Sequence, residues 1–532
     1  MTSNTPKIKI YRSGELLRET EGTPGETLLQ RISAAGVFLD APCGGRGKCG
    51  KCLVRLRPDG EQTRACQTIV NGDLDVYLPD ELKMKIAEAG APANTGAPSG
   101  AGAPAGAGID AEPQPHAPAM QKKLGVAIDI GTTTVVAHLT DIETGARIAT
   151  ASGVNAQRAY GADVISRIQF CATNGYETLT RLIRDQISSL IRNTCAASGS
   201  RPKDIGYVSI AANTIMEHLA AGYSPVGMGT APFTPVSLFG GELPAWEGLY
   251  TAKDARVYFA PAISSYVGGD ITAGMLAAGL EDMQGPVVYL DIGTNGEIAL
   301  KAGDRYYCCA TAAGPAFEGA EITMGMAAVG GAVNHVSWDG GLKLSVIGEV
   351  APIGLCGSGL LDGLALLLTT GAVDETGRML NPGEIEHKIA GNIGEVKGKN
   401  VFWLTREGEG VYMSAADVRK LQLAKSAIAA GIQTLLKHTG ISEDEVKAFV
   451  LAGGFGSYMD QYSAARIGLI PKSFLPVTKT LGNTAGEGAA LAVCSESARS
   501  ELSKMRGKFE YIELSSSSIF NEEFVEQMTF PE

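Results

Sequence analysis

Four cysteines near the amino terminus have the spacing of a metal-binding loop, C-x5-C-x2-C-x13-C. Four thiolates are a complete ligand set for a [2Fe–2S] cluster. Glycines crowd between the first three cysteines, where the backbone must wrap tightly and direct its N–H groups at sulfur. A structural zinc site is the alternative, but zinc prefers paired C-x2-C units without such glycines. The loop therefore predicts one-electron chemistry, with the ligands Cys43, Cys49, Cys52 and Cys66.

Two further motifs have the residue types that bind phosphate. In each, an apolar run ends in an aspartate that is followed by glycine and by hydroxyl or amide side chains. Glycine lets N–H groups approach phosphate oxygens, hydroxyls add donors, and the aspartate can hold Mg²⁺ through water. A single such loop would also fit an ordinary hairpin turn, but the repetition indicates an internal duplication, with two lobes facing a cleft. The residues are Asp129, Gly131, Thr132, Thr133, Asp291, Gly293, Thr294 and Asn295.

The elements that must position the cysteines follow from hydrophobic alternation and turn residues. Their order, a hairpin, a helix, the cysteine loop and two more strands, resembles that of a β-grasp ferredoxin. Plant-type ferredoxins have C-x4-C in the first gap, and the extra residue here resembles the adrenodoxin-like branch of that fold. The predicted elements are strands at 7–11, 16–20, 51–57 and 74–78 and a helix that Thr23 caps and Gly36 ends.

Composition divides the 532 residues into three parts. Residues 86–122 are almost all Ala, Gly and Pro, which cannot bury enough surface to order themselves, so a flexible linker is predicted there. It separates a small domain at 1–85 from a large one at 123–532. The net charge of −12, without any Lys/Arg block, argues against a nucleic-acid partner. Without a signal peptide or an 18-residue apolar stretch, we expect a cytoplasmic protein that does not enter a membrane.

Three more motifs complete an ordered set in the large domain. Residues 450–456 form an apolar strand broken by Gly453 and Gly454, as expected where backbone abuts an adenine ring. Residues 264–280 and 483–493 are predicted helices of small residues that cross closely between lobes. Together with the phosphate loops, these match in order the five motifs of the actin/Hsp70/sugar-kinase ATPases, and the chain resembles that superfamily. The resemblance implies an α/β fold with duplicated RNase H-like lobes.

A ferredoxin tethered to such an ATPase resembles the reductive activators of corrinoid-dependent methyltransferases, as do residues 155–168, 311–320 and 352–360. The resemblance implies an ATP-hydrolysing enzyme of anaerobic one-carbon metabolism. It would return the inactive Co(II) corrinoid of a methyltransferase corrinoid protein to Co(I), passing an electron from its [2Fe–2S] cluster. Plant-type clusters lie at about −400 mV, above the Co(II)/Co(I) couple, so ATP would drive the transfer.

The implied cofactors are the [2Fe–2S] cluster, ATP and Mg²⁺. The implied partners are the corrinoid protein and an upstream low-potential electron donor, and a homodimer formed through the ATPase domain is a further candidate. In this scheme the four cysteines bind iron, and Asp129 and Asp291 face each other across the phosphates and organise Mg²⁺. The two loops wrap the phosphates, and Gly453 and Gly454 form the floor of the adenosine pocket.

Asp270 is a candidate catalytic carboxylate beside Asp129 and Asp291. Its position in the first connecting motif matches the acidic residue that orients metal-bound or attacking water in chaperone and actin relatives. The structural alternative is a helix N-cap for Ile271 onward. Glu297 and Asp163 are weaker candidates, and Arg167 is interpreted as a solvated helix charge.

Two other functions fit the same motifs. One is a redox-sensing, ATP-binding regulator without driven electron transfer. The other is a small-molecule kinase with a ferredoxin appendage, although no sugar or acid pocket is recognisable. Turnover separates the three, because an activator hydrolyses ATP in step with corrinoid reduction, a kinase phosphorylates a metabolite and a sensor does neither.

Overall fold

The computed structural model describes residues 5–37, 39, 41, 45, 47, 51–79, 123–405 and 410–531. Cys43 and Cys49 lie outside these residues, and so does the predicted linker at 86–122. The predictions made for them, and the three domain boundaries, therefore stay predictions.

The small domain is a mixed sheet with one helix packed on it, as the β-grasp interpretation predicted. Its described elements are β1 (Lys7–Arg12), β2 (Glu15–Glu21), α1 (Leu28–Ala34), β3 (Leu53–Arg55), β4 (Gln62–Arg64) and β5 (Leu74–Leu78). The order across the sheet is β2-β1-β5-β3-β4, with β1 and β5 parallel. Ile8 and Ile10 of the sheet and Leu28 and Ile32 of α1 belong to a core of its own.

Two details of the predicted small domain were wrong. Thr27, not Thr23, caps α1, because α1 begins at Leu28 and Thr27 has a capping-box partner three residues on. Gln30 supplies that partner: its side chain accepts from the Thr27 N–H at 2.8 Å, while Thr27 Oγ1 accepts from the Gln30 N–H at 3.3 Å. Strand β3 is also shorter than the predicted 51–57, since it pairs with its neighbours only over residues 53–55.

The first lobe of the large part is a sheet covered by helices. Across it the strands at 241–244, 256–259, 205–212, 124–130, 134–141 and 147–154 follow one another. In chain order the elements are β6 (Leu124–Ile130), β7 (Thr134–Asp141), β8 (Arg147–Val154), α2 (Val164–Asn174), α3 (Glu177–Ser198), β9 (Ile205–Ala212), α4 (Thr214–Ala221), β10 (Gly241–Pro244), β11 (Arg256–Phe259) and α5 (Gly269–Ala277).

The second lobe has a matching sheet and two smaller three-stranded sheets, one mixed and one antiparallel. Its main elements are β12 (Val287–Ile292), β13 (Gly296–Ala302), β14 (Arg305–Thr311), β15 (Ala332–Trp338), β16 (Leu342–Val346), β17 (Gly354–Leu355), α6 (Gly357–Thr369), β18 (Ile393–Val396), β19 (Lys399–Trp403), β20 (Tyr412–Ser414), α7 (Ala415–Thr439), β21 (Ala448–Ala452), α8 (Gly453–Gly456), α9 (Gln461–Arg466), β22 (Thr478–Thr480), α10 (Thr484–Cys494), α11 (Glu496–Arg506), β23 (Phe509–Tyr511) and α12 (Ser518–Glu526).

The two lobes repeat one topology. Five strands run β8-β7-β6-β9-β11 in the first lobe and β14-β13-β12-β21-β22 in the second. In both, the first three strands are antiparallel and the next two are parallel to the first. This confirms the predicted duplication, and it makes β6 and β12 equivalent strands whose carboxyl ends carry Asp129 and Asp291.

Helices α5 and α10 pack directly on each other, as their small residues predicted, although α5 spans only Gly269–Ala277 and not the predicted 264–280. Among the helices of the described ranges, none has the length and apolar character needed to cross a membrane.

Candidate functional site

The site begins at the two equivalent strand ends. Asp129 lies opposite Ala211 in the sheet of the first lobe, and Asp291 lies between Ala452 and Glu297 in that of the second. Both aspartates stay partly exposed. A hairpin loop follows each of them, because β6 and β12 both turn back into an antiparallel partner. The strand-to-loop geometry predicted for both phosphate motifs is therefore present.

A group of carboxylates meets at these strand ends. Burial raises the pKa of Asp129 to about 6, partly offset by a hydrogen bond from Asn483, the N-cap of α10. Burial and the charge of Asp129 raise the pKa of Asp291 to about 7. Burial, then Asp291 and Asp129, raise that of Asp270 to about 8. Burial, then the charges of Asp270 and Asp291, raise the pKa of Glu297 as well. The two lobes therefore direct like charges into one cleft.

Such a group of acids favours a bound cation, since a divalent ion removes the mutual repulsion that raises the pKa values. In the described part of the chain, no three Asp, Glu, His or Cys side chains converge closely enough to ligate a metal directly. Mg²⁺ suits this arrangement, because it keeps several waters and needs one or two carboxylates besides phosphate oxygens. Asp129 and Asp291 fit that ion better than a fully protein-ligated metal.

Asp270 is the second residue of α5, whose N-cap is Gly268 rather than an acidic side chain. Its carboxylate accepts from the Ile271 N–H at 2.9 Å while remaining partly exposed. The alternative interpretation, a helix N-cap, is correct in that Asp270 accepts from one N–H group of the first turn. It is wrong about the cap position, which Gly268 occupies. The charges of Asp291 and Asp129 also act on the Asp270 carboxyl group and raise its pKa. Asp163, the weaker candidate, caps α2 instead by accepting from Ser166 N at 2.7 Å.

The double glycine follows β21 directly. Gly453 has a φ of 85°, and a Cβ atom there would lie 2.3 Å from Asp291 Oδ1, so only glycine fits. A Cβ atom on Gly454 or on Gly293 would meet nothing within 4 Å, and both glycines therefore border open space. Phe455 stacks on Phe317 with ring centroids 5.3 Å apart. Gly453 therefore packs tightly against Asp291, whereas Gly454 borders open space, as a nucleotide pocket requires.

Two residues of this region were missed or misinterpreted from the sequence. Arg167 is fully buried and is not a solvated helix charge. It donates to the carbonyl oxygen of Thr132 at 2.5 Å and to that of Gly161 at 3.0 Å, so it fixes the first phosphate loop. Glu318 accepts hydrogen bonds from hydroxyls of both loops. No local sequence pattern predicts the hydrogen bonds of Arg167 or those of Glu318, because the segments they join are apart in the chain.

The cysteine loop is described only in part. Cys52 and Cys66 are buried in the core of the small domain. Gly45 and Gly47 have φ values of 79° and 73°, the left-handed backbone that a tight wrap demands. These observations agree with a cluster loop, while the positions of Cys43 and Cys49 lie outside the described residues.

Comparison with protein families gives three matches along the chain. Residues 13–71 match a 2Fe–2S iron–sulfur cluster binding domain. Residues 124–283 match the RACo middle region, and residues 286–532 match the C-terminal domain of RACo, described as the ASKHA domain. The last two models meet at the boundary between the two lobes.

Individual proteins agree with these matches. The chain is 31% identical to the corrinoid activation enzyme RamQ of Eubacterium limosum, over 90% of this chain and 92% of that protein. It is 24% identical to the [Co(II) methylated amine-specific corrinoid protein] reductase of Methanosarcina barkeri, over 76% and 77%. A solved structure of a reductive activator for corrinoid,iron-sulfur protein has a TM-score of 0.69 at 29% identity, covering 99% of this chain and 98% of that one.

Proposed function

The chain belongs to the RACo family of ATP-dependent reductive activators of corrinoid proteins, and we propose that its acid-lined cleft binds Mg·ATP to drive the electron transfer. The family supplies the activity, the [2Fe–2S] cluster, nucleotide binding and a corrinoid protein as partner. The roles of individual residues, Mg²⁺ and the coupling are the proposal.

One observation carries it. Asp129 and Asp291 lie at the carboxyl ends of equivalent strands of the two lobes, and Asp129 lies near enough for its charge to raise the pKa of the Asp291 carboxyl group. A ligand that binds both must therefore bridge the lobes. Mg·ATP would do so: Asp129 and Asp291 would hold the Mg²⁺, which would neutralise phosphate charge, and the two loops would hold the phosphates.

The chain's own residues then have distinct tasks. Gly131, Thr132 and Thr133 offer N–H and hydroxyl donors from the first lobe, and Gly293, Thr294 and Asn295 do so from the second. Asp270 accepts a proton from, or orients, the water that attacks the terminal phosphate. Gly453 and Gly454 leave room for the adenine.

The cysteine loop has a separate task. Bound by Cys43, Cys49, Cys52 and Cys66, the cluster supplies one electron at a time. Each 59 mV of uphill transfer lowers the equilibrium constant about tenfold. Closure of the lobes on ATP offsets that gradient by favouring one conformation of the bound corrinoid partner. An upstream low-potential donor, a homodimer through the ATPase domain and a cytoplasmic location stay predictions.

Asp291→Asn tests the proposal. We expect this variant to keep its cluster and to accept electrons from a strong reductant. It should fail to generate Co(I) at a reductant potential where the parent succeeds, because the charge and position of the metal dominate phosphoryl transfer. The measurement is the cob(I)alamin absorbance of a corrinoid protein, with and without Mg·ATP, at fixed potential.

Asp339→Asn is the matched control, since Asp339 lies on an exposed turn after β15, away from the cleft. It should behave like the parent. If Asp291→Asn reduces the corrinoid as well as the parent does, ATP bound at this cleft is not the driver. The redox-sensing regulator would then be the better description of the site.

A further inference from the structure

Glu318 bridges the two phosphate loops. It ends the short 3₁₀ helix Pro315–Glu318 of the second lobe. Each oxygen of its carboxylate accepts one hydrogen bond: Thr133 Oγ1 donates to Oε2 at 2.9 Å, and Thr294 Oγ1 donates to Oε1 at 3.0 Å. Thr133 belongs to the loop of the first lobe and Thr294 to that of the second. One anionic side chain therefore occupies hydroxyl donors of both loops.

An anion in this position competes with the nucleotide. Each threonine hydroxyl has a single proton to donate. A phosphate oxygen and the Glu318 carboxylate cannot both accept it, and two negative groups at such short range repel each other. If the loops bind ATP as proposed above, Glu318 must give up at least one of its two partners.

In the segment that follows Glu318, residues 319–326, the backbone at one end packs against the backbone at the other. Gly319 has a φ of 75°, and a Cβ atom there would lie 2.5 Å from the carbonyl oxygen of Met326. A Cβ atom on Gly325 would lie 2.1 Å from the carbonyl oxygen of Gly319. Backbone packed this closely cannot deform gradually, so residues 319–326 move as a unit when Glu318 moves.

The far end of this segment contacts the ferredoxin domain. Lys51 Nζ donates to the carbonyl oxygen of Gly325 at 3.2 Å, and Lys51 precedes the cluster ligand Cys52 in the chain. A second contact lies on the first lobe, where Tyr160 lies beside Ser33 at the end of α1. The ferredoxin domain therefore rests on both lobes at once.

The first-lobe contact also leads back to a phosphate loop. Tyr160 follows the 3₁₀ helix Ala156–Ala159, whose Gln157 accepts from Arg167 Nη1 at 3.2 Å. The same guanidinium donates to the carbonyl oxygen of Thr132. Each of the two surfaces that touch the ferredoxin is thus one or two contacts away from a phosphate loop.

We propose that Glu318 is a nucleotide-sensing positioning residue that controls docking of the chain's own ferredoxin domain. Without nucleotide, its carboxylate ties the loops together and holds 319–326 under Lys51. ATP displaces the carboxylate, the segment shifts, and the ferredoxin is released from the ATPase. The inference rests on the proposed binding of ATP phosphates by the two loops.

The test uses the full-length, cluster-loaded protein under anaerobic conditions with a non-hydrolysable ATP analogue and Mg²⁺. Three quantities are measured: the Kd of the analogue, hydrogen–deuterium exchange of residues 319–326, and acetylation of the Lys51 amine relative to Lys7. In the parent we expect the analogue to increase both exchange and Lys51 acetylation. Glu318→Gln should have the higher exchange and acetylation already without nucleotide, and should bind the analogue about fivefold more tightly, because a charged competitor has gone.

Glu321→Gln is the control, since it makes the same charge change three residues further along the exposed side of the segment. It should behave like the parent. A second variant, Lys51→Gln, should raise exchange of 319–326 without nucleotide even if Glu318→Gln does not fold.

The outcomes separate the inference from the proposed function. A parent that does not bind the analogue contradicts the proposed function. A parent that binds it while neither exchange nor Lys51 acetylation responds overturns the inference alone. The inference is also overturned if Glu318→Gln matches the parent in its Kd for the analogue and in the exchange of residues 319–326.

Discussion

Gly488 of α10 lies directly against the carbonyl oxygen of Ala273 of α5, which a Cβ atom on residue 488 would approach to 2.0 Å. No side-chain rearrangement can relieve such a contact, because the opposing atom belongs to the backbone of a helix. The crossing also joins the lobes, since α5 carries Asp270 near its start and Asn483 caps α10 beside Asp129. The spacing of these two helices therefore sets the positions of two acids of the cleft.

We expect Gly488→Ala to lower the free energy of unfolding by about 3 kcal/mol, at the upper end of the usual cost of overpacking. ATP hydrolysis should fall with it, because α5 and α10 must separate. Thermal unfolding and steady-state ATPase rates measure the two effects. Gly391→Ala is the control, since a Cβ atom there meets nothing within 4 Å. Equal melting temperatures for the two variants would contradict the tight crossing.

The sequence was sufficient to predict features that rest on local pattern. Aspartate followed by glycine and threonine after an apolar run located the ends of β6 and β12, because strand and turn residues lie side by side in the chain. The small residues of α5 and α10 predicted a close helix crossing for the same reason. The cysteine spacing predicted the cluster domain, which the family match supports.

Features that depend on long-range contacts could not be predicted. Glu318 lies 185 residues from Thr133, and no sequence pattern near either residue predicts their hydrogen bond. Arg167 is on a helix whose other residues are partly polar, so its charge suggested a solvated position. The structure instead buries it and gives it four oxygen or sulfur partners. Thr23 was predicted as the cap of α1, whereas the structure begins the helix at Leu28 and pairs Thr27 with Gln30.

The cluster and nucleotide sites should be separable by mutation. Cys66→Ala removes one thiolate of the predicted ligand set, so we expect the oxidised visible spectrum and the iron content of about two per chain to be lost. ATP binding should persist, because Cys66 belongs to a core formed only by residues of the small domain. Absorption spectroscopy, iron analysis and nucleotide titration measure these effects.

Cys494→Ala serves as the matched control, as Cys494 is also a free cysteine but lies at the end of α10. Its spectrum should equal that of the parent. Loss of nucleotide binding in Cys66→Ala would show that the ATPase lobes cannot bind nucleotide without an intact cluster loop.

His138 should make the first lobe sensitive to acid. It is buried on β7, where Nδ1 bonds with Thr150 Oγ1 at 2.9 Å and the Arg147–Glu487 ion pair lies nearby. Burial, followed by the charge of Arg147, lowers the pKa of His138 from 6.5 to about 4. The unfolded chain therefore takes up this proton below about pH 6.5 while the folded protein does not, and stability falls as the pH drops from 6.5 towards 4.

The variant His138→Asn lacks this titration but keeps an acceptor and donor near Thr150. We compare the free energy of unfolding of the parent with that of the variant. As the pH is lowered from 7.5 to 4.5, the parent should lose about 2.5 kcal/mol relative to the variant, at 1.36 kcal/mol per pKa unit. Urea unfolding followed by tryptophan fluorescence is the measurement, and Trp246 reports on this lobe. His438→Asn, at a more exposed site, should show no such narrowing. A constant difference would mean that His138 titrates normally in the folded protein.

Asp270 offers the sharpest separation between a catalytic and a structural role. Its carboxylate accepts from the Ile271 N–H, a task that the amide oxygen of asparagine performs equally well. Asparagine cannot accept a proton from water or hold an ion, however. We therefore expect Asp270→Asn to fold with an unchanged melting temperature or a higher one, since the mutual repulsion with Asp291 and Asp129 is removed. The kcat for ATP hydrolysis should fall about 10²- to 10³-fold, in the range for loss of a general base. The KM for ATP should change little, because the phosphate loops are intact.

Asp282→Asn, in the 3₁₀ helix Leu280–Asp282 beyond α5, supplies the control and should retain full kcat. A variant with normal kcat would leave Asp270 with only its helix-terminal hydrogen bond, and the search for the water-orienting group would move to Glu297.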